Sequence, residues 1–146
     1  EPNLILAGRY INDAMPNYIC DVLSKKLQKN GKELKNSKIL LMGVTFKENC
    51  PDIRNSKSLD LFKPLKDKEC HVDVTDPIAS ESEVIKLAGL KLKKELLSSE
   101  YDAIILAVAH NEYRELGFDA VKNLGKDDCV IYDVKNIFRN KKLLKL

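Results

Sequence analysis

Paired cysteines are missing from this sequence. Cys20, Cys50, Cys70 and Cys129 are scattered with no CxxC among them, and only His71 and His110 could complete a zinc site, so no metal is expected. Cys70 and His71 are neighbours, but on a strand they project to opposite faces. The thiols read as small apolar residues of a reducing compartment. Glycine is scarce, six in 146 residues. Neither the GxGxxG dinucleotide turn nor the GxxxxGK[ST] phosphate loop occurs, which excludes binding through a glycine nest. No Ser-His-Asp set stands behind a nucleophile elbow. No apolar run of about 18 residues could span a bilayer, and no charged-then-apolar leader opens the chain, so no membrane partner and a cytoplasmic location are expected.

A surplus of one charge is also missing: 25 Lys plus Arg against 22 Asp plus Glu leave +3. The surplus is local, in Lys135, Arg139, Lys141, Lys142 and Lys145 of an acid-free tail. With no aromatic platform beyond Phe138, that tail reads as a solvated end, and no nucleic-acid partner is expected.

What is present is one domain's worth of core, 44% apolar residues in 146. The chain opens at Glu1, without Met, directly in helical sequence, and is expected to be a piece of something larger. Leu4, Ile11, Met15, Tyr18, Val22 and Leu27 form one stripe of a long helix over residues 3–29. Pro16 predicts a kink, or a restart capped by Asn12 or Asp13, and Asn30-Gly31 a left-handed stop. From residue 37 short apolar runs alternate with helical patterns. The runs are Lys38 to Val44, His71 to Thr75, Ala103 to Ala109 and Cys129 to Asp133. Two of them are almost continuously apolar, as strands covered on both faces must be. An α/β fold follows, a doubly wound, mostly parallel, Rossmann-like sheet preceded by a long N-terminal helix. Helices are predicted over 56–68, 80–88, 111–124 and near the C-terminus, with Leu90 to Leu97 open between helix and edge strand.

Ligands of such sheets sit beyond the carboxyl ends of the strands. The first loop there, Thr45 to Ser56, is long and polar, and Ser56 or Asn55 can cap the helix that follows. Phosphate held on it would rely on the Lys47 and Arg54 side chains and exposed amides. Plain surface charge is the alternative for both. Asp76-Pro77 reads as a strand stop before a helix capped by Ser80. His110 stands at the ligand edge, where a structural bond competes with a ligand contact. Asp133 and Lys135 could bind a polar ligand or form a local salt bridge. Cys50 has cations nearby but no histidine close in sequence, which argues against a nucleophile.

Four blocks carry a resemblance: Leu41 to Ser56, reading LMGVTFKENCPDIRNS; Val74-Thr75-Asp76-Pro77; Val108-Ala109-His110; and Tyr132-Asp133-Val134-Lys135-Asn136. In order and spacing they resemble the C-terminal, nucleotide-sugar-binding domain of the UDP-glucose/GDP-mannose dehydrogenase family. The wording of the first block is most similar to bacterial UDP-N-acetylhexosamine 6-dehydrogenases. Leu4 to Asp13, with Ala7-Gly8-Arg9 and Ile11-Asn12-Asp13, resembles the start of that family's central helix. The resemblance implies a central, dimerisation helix at residues 1–30 and a UDP-binding α/β domain at 31–146. The NAD-binding catalytic domain, with its Gly-x-Cys-x-x-Lys-Asp motif, is absent from this chain. Members oxidise the C6 alcohol of a UDP-sugar to a carboxylate with two NAD⁺, through a thioester on a catalytic cysteine.

For this chain the resemblance implies substrate grip: Phe46, Lys47 and Lys135 at the UDP-sugar, and Arg54 reaching to NAD on the other domain. The implied partners are the UDP-sugar, the missing domain and a second copy in a homodimer. The implied pathway is surface polysaccharide (capsule) synthesis. The implied alternatives are a UDP-glucose or GDP-mannose substrate and a non-catalytic nucleotide-binding module. Many members carry Arg where Lys135 stands, and lysine keeps the charge but loses the planar fork. A phospho-acceptor receiver domain is disfavoured, because the first strand ends Gly43-Val44 without an acid.

Overall fold

The computed structural model describes the backbone of residues 2–146 and the side chains of residues 14–146. Helix α1 (Pro2–Lys29) leads into β1 (Lys38–Met42). A 3-10 turn (Leu59–Leu61) then runs into α2 (Phe62–Asp67), followed by β2 (His71–Thr75), α3 (Glu81–Ala88) and β3 (Tyr101–Leu106). Helices α4 (Asn111–Leu116) and α5 (Phe118–Leu124), β4 (Gly125–Asp133) and β5 (Leu144–Lys145) complete the chain. The five strands form one sheet in the order β2-β1-β3-β4-β5, every pairing parallel. This is the doubly wound α/β arrangement expected of the sequence.

The apolar runs are explained by the two faces of that sheet, since alternate residues of a strand point to opposite sides. Ile39, Leu41, Ala103, Ile105, Val130 and Tyr132 pack on one face with Ile19, Cys20, Leu23 and Leu27 of α1 and with Leu61 and Leu65. Leu40, Met42, Ile104, Leu106 and Ile131 pack on the other with Tyr113 and Val121. The carboxyl-terminal half of α1 is therefore part of the domain core. Its four fully buried side chains each contribute about 1.5–3 kcal/mol where large and apolar.

Four sequence expectations are corrected. Helix α1 runs through Pro16 without a restart, because the tertiary packing of Ile19 to Leu27 outweighs one lost backbone bond. The predicted helix over 111–124 is divided at Gly117, whose φ of +87° ends α4. No helix forms near the C-terminus. There the buried Asp133 carboxylate accepts the amides of Ile137 and Phe138 and the ammonium of Lys145, folding the tail back to add β5. Leu90 to Leu97 is neither helix nor strand: Lys93 N–H donates to the Val74 carbonyl, and its own carbonyl accepts from Thr75 Oγ1, so the segment lies along the edge of β2. The stop at Asn30-Gly31 forms as expected, with Gly31 at φ +75°. Leu4, Ile11 and the Leu4 to Asp13 motif lie outside the described side chains.

Candidate functional site at the sheet switch point

Strand order reverses between β1, which continues outward to β2, and β3, which continues to β4. The loops leaving β1 and β3 therefore separate to opposite faces and open a crevice between them. A cleft of about 250 Å³ occupies it, walled by Thr45, Phe46, Lys47 and Glu48 after β1, Ala107 to Ala109 after β3, Lys135 after β4, and Lys57 and Ser58.

Gly43 makes this crevice possible. Its φ is +98°, and a Cβ there would sit 2.7 Å from Cβ of Val108 and 2.9 Å from the Val108 amide. The two loops thus approach as closely as a glycine allows. Ser58, buried, donates its hydroxyl to the Gly43 carbonyl and ties the helical segment to the same point. Ser56 Oγ accepts the Leu59 amide at 3.2 Å, but the N-cap position is Ser58, whose own side chain makes no cap bond, so neither Ser56 nor Asn55 is the cap that the sequence suggests.

Three of the four residues singled out by sequence meet here. Phe46 is 54% exposed, an apolar ring offered to solvent at the cleft mouth. Lys47 and Lys135 are exposed on the same cleft, as is Lys57, and none of the three ion-pairs with an acid among the described residues. The only carboxylate on the wall, Glu48, faces Arg114 at 3.8 Å. The cleft is cationic with one aromatic ring. That is the chemistry that holds a phosphorylated ring compound: ammonium groups for the phosphate, a flat apolar face for the ring.

Arg54 lies elsewhere. It lines two shallow depressions outside the cleft, and its guanidinium donates from Nε and Nη2 to Asp52 at 3.0 and 2.8 Å. The hydrogen bonds and charge of Arg54 hold the Asp52 carboxyl down at about 2. Lys57 and Ser58 were missed in the sequence: they lie in the turn just before the 3-10 segment at Leu59–Leu61, and no local signal marks them.

The remaining candidates are structural. Asp76 accepts the amides of Val44, Ile78 and Ala79 and pairs with His110 Nε2 at 2.9 Å. Burial works against its charge, but these bonds outweigh burial and keep its proton affinity below the ordinary carboxylate value. Asp133 supports the tail, as described. Cys20 and Cys70 are buried, and desolvation pushes both thiols up to about 11. Cys129 is pushed up to about 12, again chiefly by burial. A wider depression, about 630 Å³, lies between α1, α5 and β4. No loop from a strand's carboxyl end other than the tail reaches it.

Residues 40–140 match the model of the UDP-glucose/GDP-mannose dehydrogenase family, UDP binding domain. A UDP-N-acetyl-D-glucosamine 6-dehydrogenase of Salmonella typhi is 43% identical over 136 residues, covering 93% of this chain and 32% of that protein. Protein CapL of Staphylococcus aureus is 39% identical over 143 residues, 98% of this chain and 34% of its own length. Among solved structures, an NDP-N-acetyl-D-galactosaminuronic acid dehydrogenase from Methanosarcina mazei Go1 superposes with a TM-score of 0.79 at 25% identity, over 97% of this chain and 30% of that one. The chain spans about a third of the length of these relatives. On the family match and these identities, it belongs to the UDP-glucose/GDP-mannose dehydrogenase family, as that family's UDP binding domain together with the helix that precedes it.

Proposed function

We propose that this chain is the substrate-gripping part of an NAD-dependent nucleotide-sugar 6-dehydrogenase, which oxidises the C6 alcohol of a UDP-N-acetylhexosamine to the uronic acid for surface polysaccharide. The observation that carries this reading is the meeting of Phe46, Lys47 and Lys135 in one acid-poor cleft at the switch point. Lys47 and Lys135 neutralise the diphosphate, and Phe46 covers the ring side of the ligand. Lys57 adds a third cation.

A cleft of about 250 Å³ is smaller than most complete small-molecule sites. It fits one wall of a shared crevice, with the sugar and its C6 carbon projecting toward a second domain. The remote diphosphate then supplies binding energy that orients C6 without taking part in the chemistry. NAD, bound by that other domain, would accept hydride. This chain has no glycine-rich turn to hold NAD, and Arg54, 76% exposed, is the group here that can extend to it. Residues 1–30 join the halves and pair two subunits in a homodimer, while their carboxyl-terminal half packs into the core of the UDP domain that residues 31–146 otherwise form. The assembled enzyme works in the cytoplasm.

Calorimetric titration of this chain with UDP, AMP and NAD tests the reading. UDP saturates a single site, AMP and NAD do not, and Lys47→Ala weakens UDP about tenfold or more, the scale of one lost charge-assisted bond. Equal binding of UDP and AMP, or an unaltered Lys47→Ala variant, would sink it.

A further inference from the structure

His110 is wholly buried, although it follows the β3 loop at the very edge where the cleft begins. Both ring nitrogens are engaged. The Asn49 amide donates to Nδ1 at 3.0 Å, so Nδ1 carries the lone pair and Nε2 the hydrogen. Nε2 faces Asp76 Oδ2 at 2.9 Å and Thr45 Oγ1 at 3.2 Å. The Thr45 hydroxyl spends its own hydrogen on the Lys47 carbonyl at 2.9 Å. Next to the histidine, the Asn111 amide donates back to Asn49 Oδ1 at 2.9 Å. Asn49 itself sits at φ +60°, a left-handed conformation that asparagine adopts more readily than most side chains.

These bonds bracket the two residues that matter most for the cleft. Phe46 and Lys47 lie between Thr45 and Asn49, and both ends of that short stretch are tied to His110 and its neighbour. The aromatic neighbour of the ring is Tyr113, at 5.5 Å between centroids, and Arg114, four residues on, pairs with Glu48 at 3.8 Å. None of these substitutes for an acceptor at Nδ1: the Tyr113 hydroxyl reaches the Thr75 carbonyl at 3.4 Å, and Arg114 donates to the Ala109 carbonyl.

We infer that His110 is a positioning residue for the nucleotide cleft: its neutral, Nε2–H tautomer latches the 45–49 loop through Asn49 and so sets where Phe46 and Lys47 stand. The ligand consequence rests on the UDP reading above; the latch itself does not. An acceptor at the Nδ1 position is what the latch requires, and the Asp76 bond only orients the ring.

Two amide side chains separate those roles. In His110→Asn the amide oxygen falls near the place of Nδ1 and keeps the Asn49 bond; in His110→Gln the amide nitrogen falls near Nε2 and keeps the Asp76 bond. Hydrogen exchange of the Asn49 amide reads the latch, and UDP titration of the same chain reads its consequence. His110→Gln exchanges Asn49 at least tenfold faster than wild type and loses UDP affinity about tenfold. His110→Asn keeps both within about threefold, even if the two variants melt at the same temperature. Equal exchange and equal affinity in the two variants would overturn the inference, as would wild-type UDP affinity in a His110→Gln chain whose loop exchanges fast. If the wild type fails to bind UDP, the functional reading fails while the exchange comparison still decides the latch. Should either variant not fold, ¹⁵N spectra of the wild-type ring decide: a hydrogen on Nδ1 excludes the latch.

Discussion

The amino ends of the strands and the cleft at their carboxyl ends treat charge in opposite ways. At the amino ends of the strands Lys32, Lys38, Lys93 and Lys126 are each matched by an acid. Asp102, 6% exposed, accepts Lys32 at 2.8 Å, Lys126 at 3.0 Å and the Lys38 amide at 2.9 Å. Lys38 and Lys93 share Glu100, and Lys93 also reaches Asp73, which takes the Tyr101 hydroxyl as well. At the carboxyl ends Lys47, Lys57 and Lys135 surround a cleft with no acid paired to any of them among the described residues. One end closes its own electrostatics and contributes to folding. The other leaves them open, which costs little while the ammonium groups stay hydrated and favours an anionic ligand when one arrives.

Geometry at the crevice is the most sensitive point of that contrast, because the open end exists only where Gly43 and Val108 touch. Gly43→Ala places a Cβ 2.7 Å from the Val108 side chain in a left-handed backbone. Neither neighbour is the flexible end of a long chain, so the expected cost is about 3 kcal/mol or more. Urea unfolding should show a matching drop in midpoint, with loss of UDP binding in whatever remains folded. A variant with unaltered stability would mean that the close approach is not required.

The closed end predicts a smaller, pH-dependent effect. Burial alone would raise the proton affinity of Asp102, but the bonds from Lys32, the Lys38 amide and Lys126 outweigh it and bring the carboxyl down to about 2. A folded value below the unfolded one contributes stability that is full above about pH 4 and is lost as the pH falls toward about 2. The contribution is on the order of 2 kcal/mol. Asp102→Asn should lose about that much at pH 7 and flatten the acid limb of a stability–pH curve, while UDP affinity stays within twofold. A fall in affinity as large as the fall in stability would break the separation of the two ends.

How much of this contrast could be read in the sequence follows from which forces act locally. The strands and their two-sided burial were legible because Ile39 to Val44 and Ala103 to Val108 leave no polar residue for either face. The cap at Ser80 and the stop at Asn30-Gly31 were legible because a short side chain or a glycine decides each within one turn. The tail was not. Its helix-like spacing is overruled by Asp133, whose bonds to Ile137, Phe138 and Lys145 exist only once β4 has placed that carboxylate in the core. Phe46, Lys47 and Lys135 were nameable from motif wording, but their union in one cleft depends on strand order. Lys57 carries no local signal of function at all, and only the crevice reveals its place.

Lys57 therefore offers a test of the open end that owes nothing to motif. Its ammonium lies on the same cleft wall as Ser58, on the far side from Lys135 in sequence but on one surface in space. Lys57→Ala should weaken UDP about three- to tenfold, less than Lys47→Ala, with thermal stability unaltered. The salt dependence of binding should fall as well, since one fewer cation meets the diphosphate. Retained affinity with an unchanged salt slope would confine the site to Phe46, Lys47 and Lys135.

Arg54 should give the smallest effect, and that is its value. It follows the same loop, matches the same motif and carries the same sign of charge as Lys47, so a general electrostatic pull on the nucleotide would include it. The structure separates the two: Arg54 is held by Asp52 outside the cleft, and an arginine already satisfied by a carboxylate offers little net field to a phosphate. Arg54→Ala should therefore leave UDP affinity of this chain within about twofold, where Lys47→Ala costs about tenfold. In an enzyme that also contains the domain binding NAD, the same substitution should raise the KM for NAD and leave that for the UDP-sugar nearly unchanged. A large loss of UDP affinity in the isolated chain would show that the cationic cleft extends past Asp52, and the boundary of the open end would move with it.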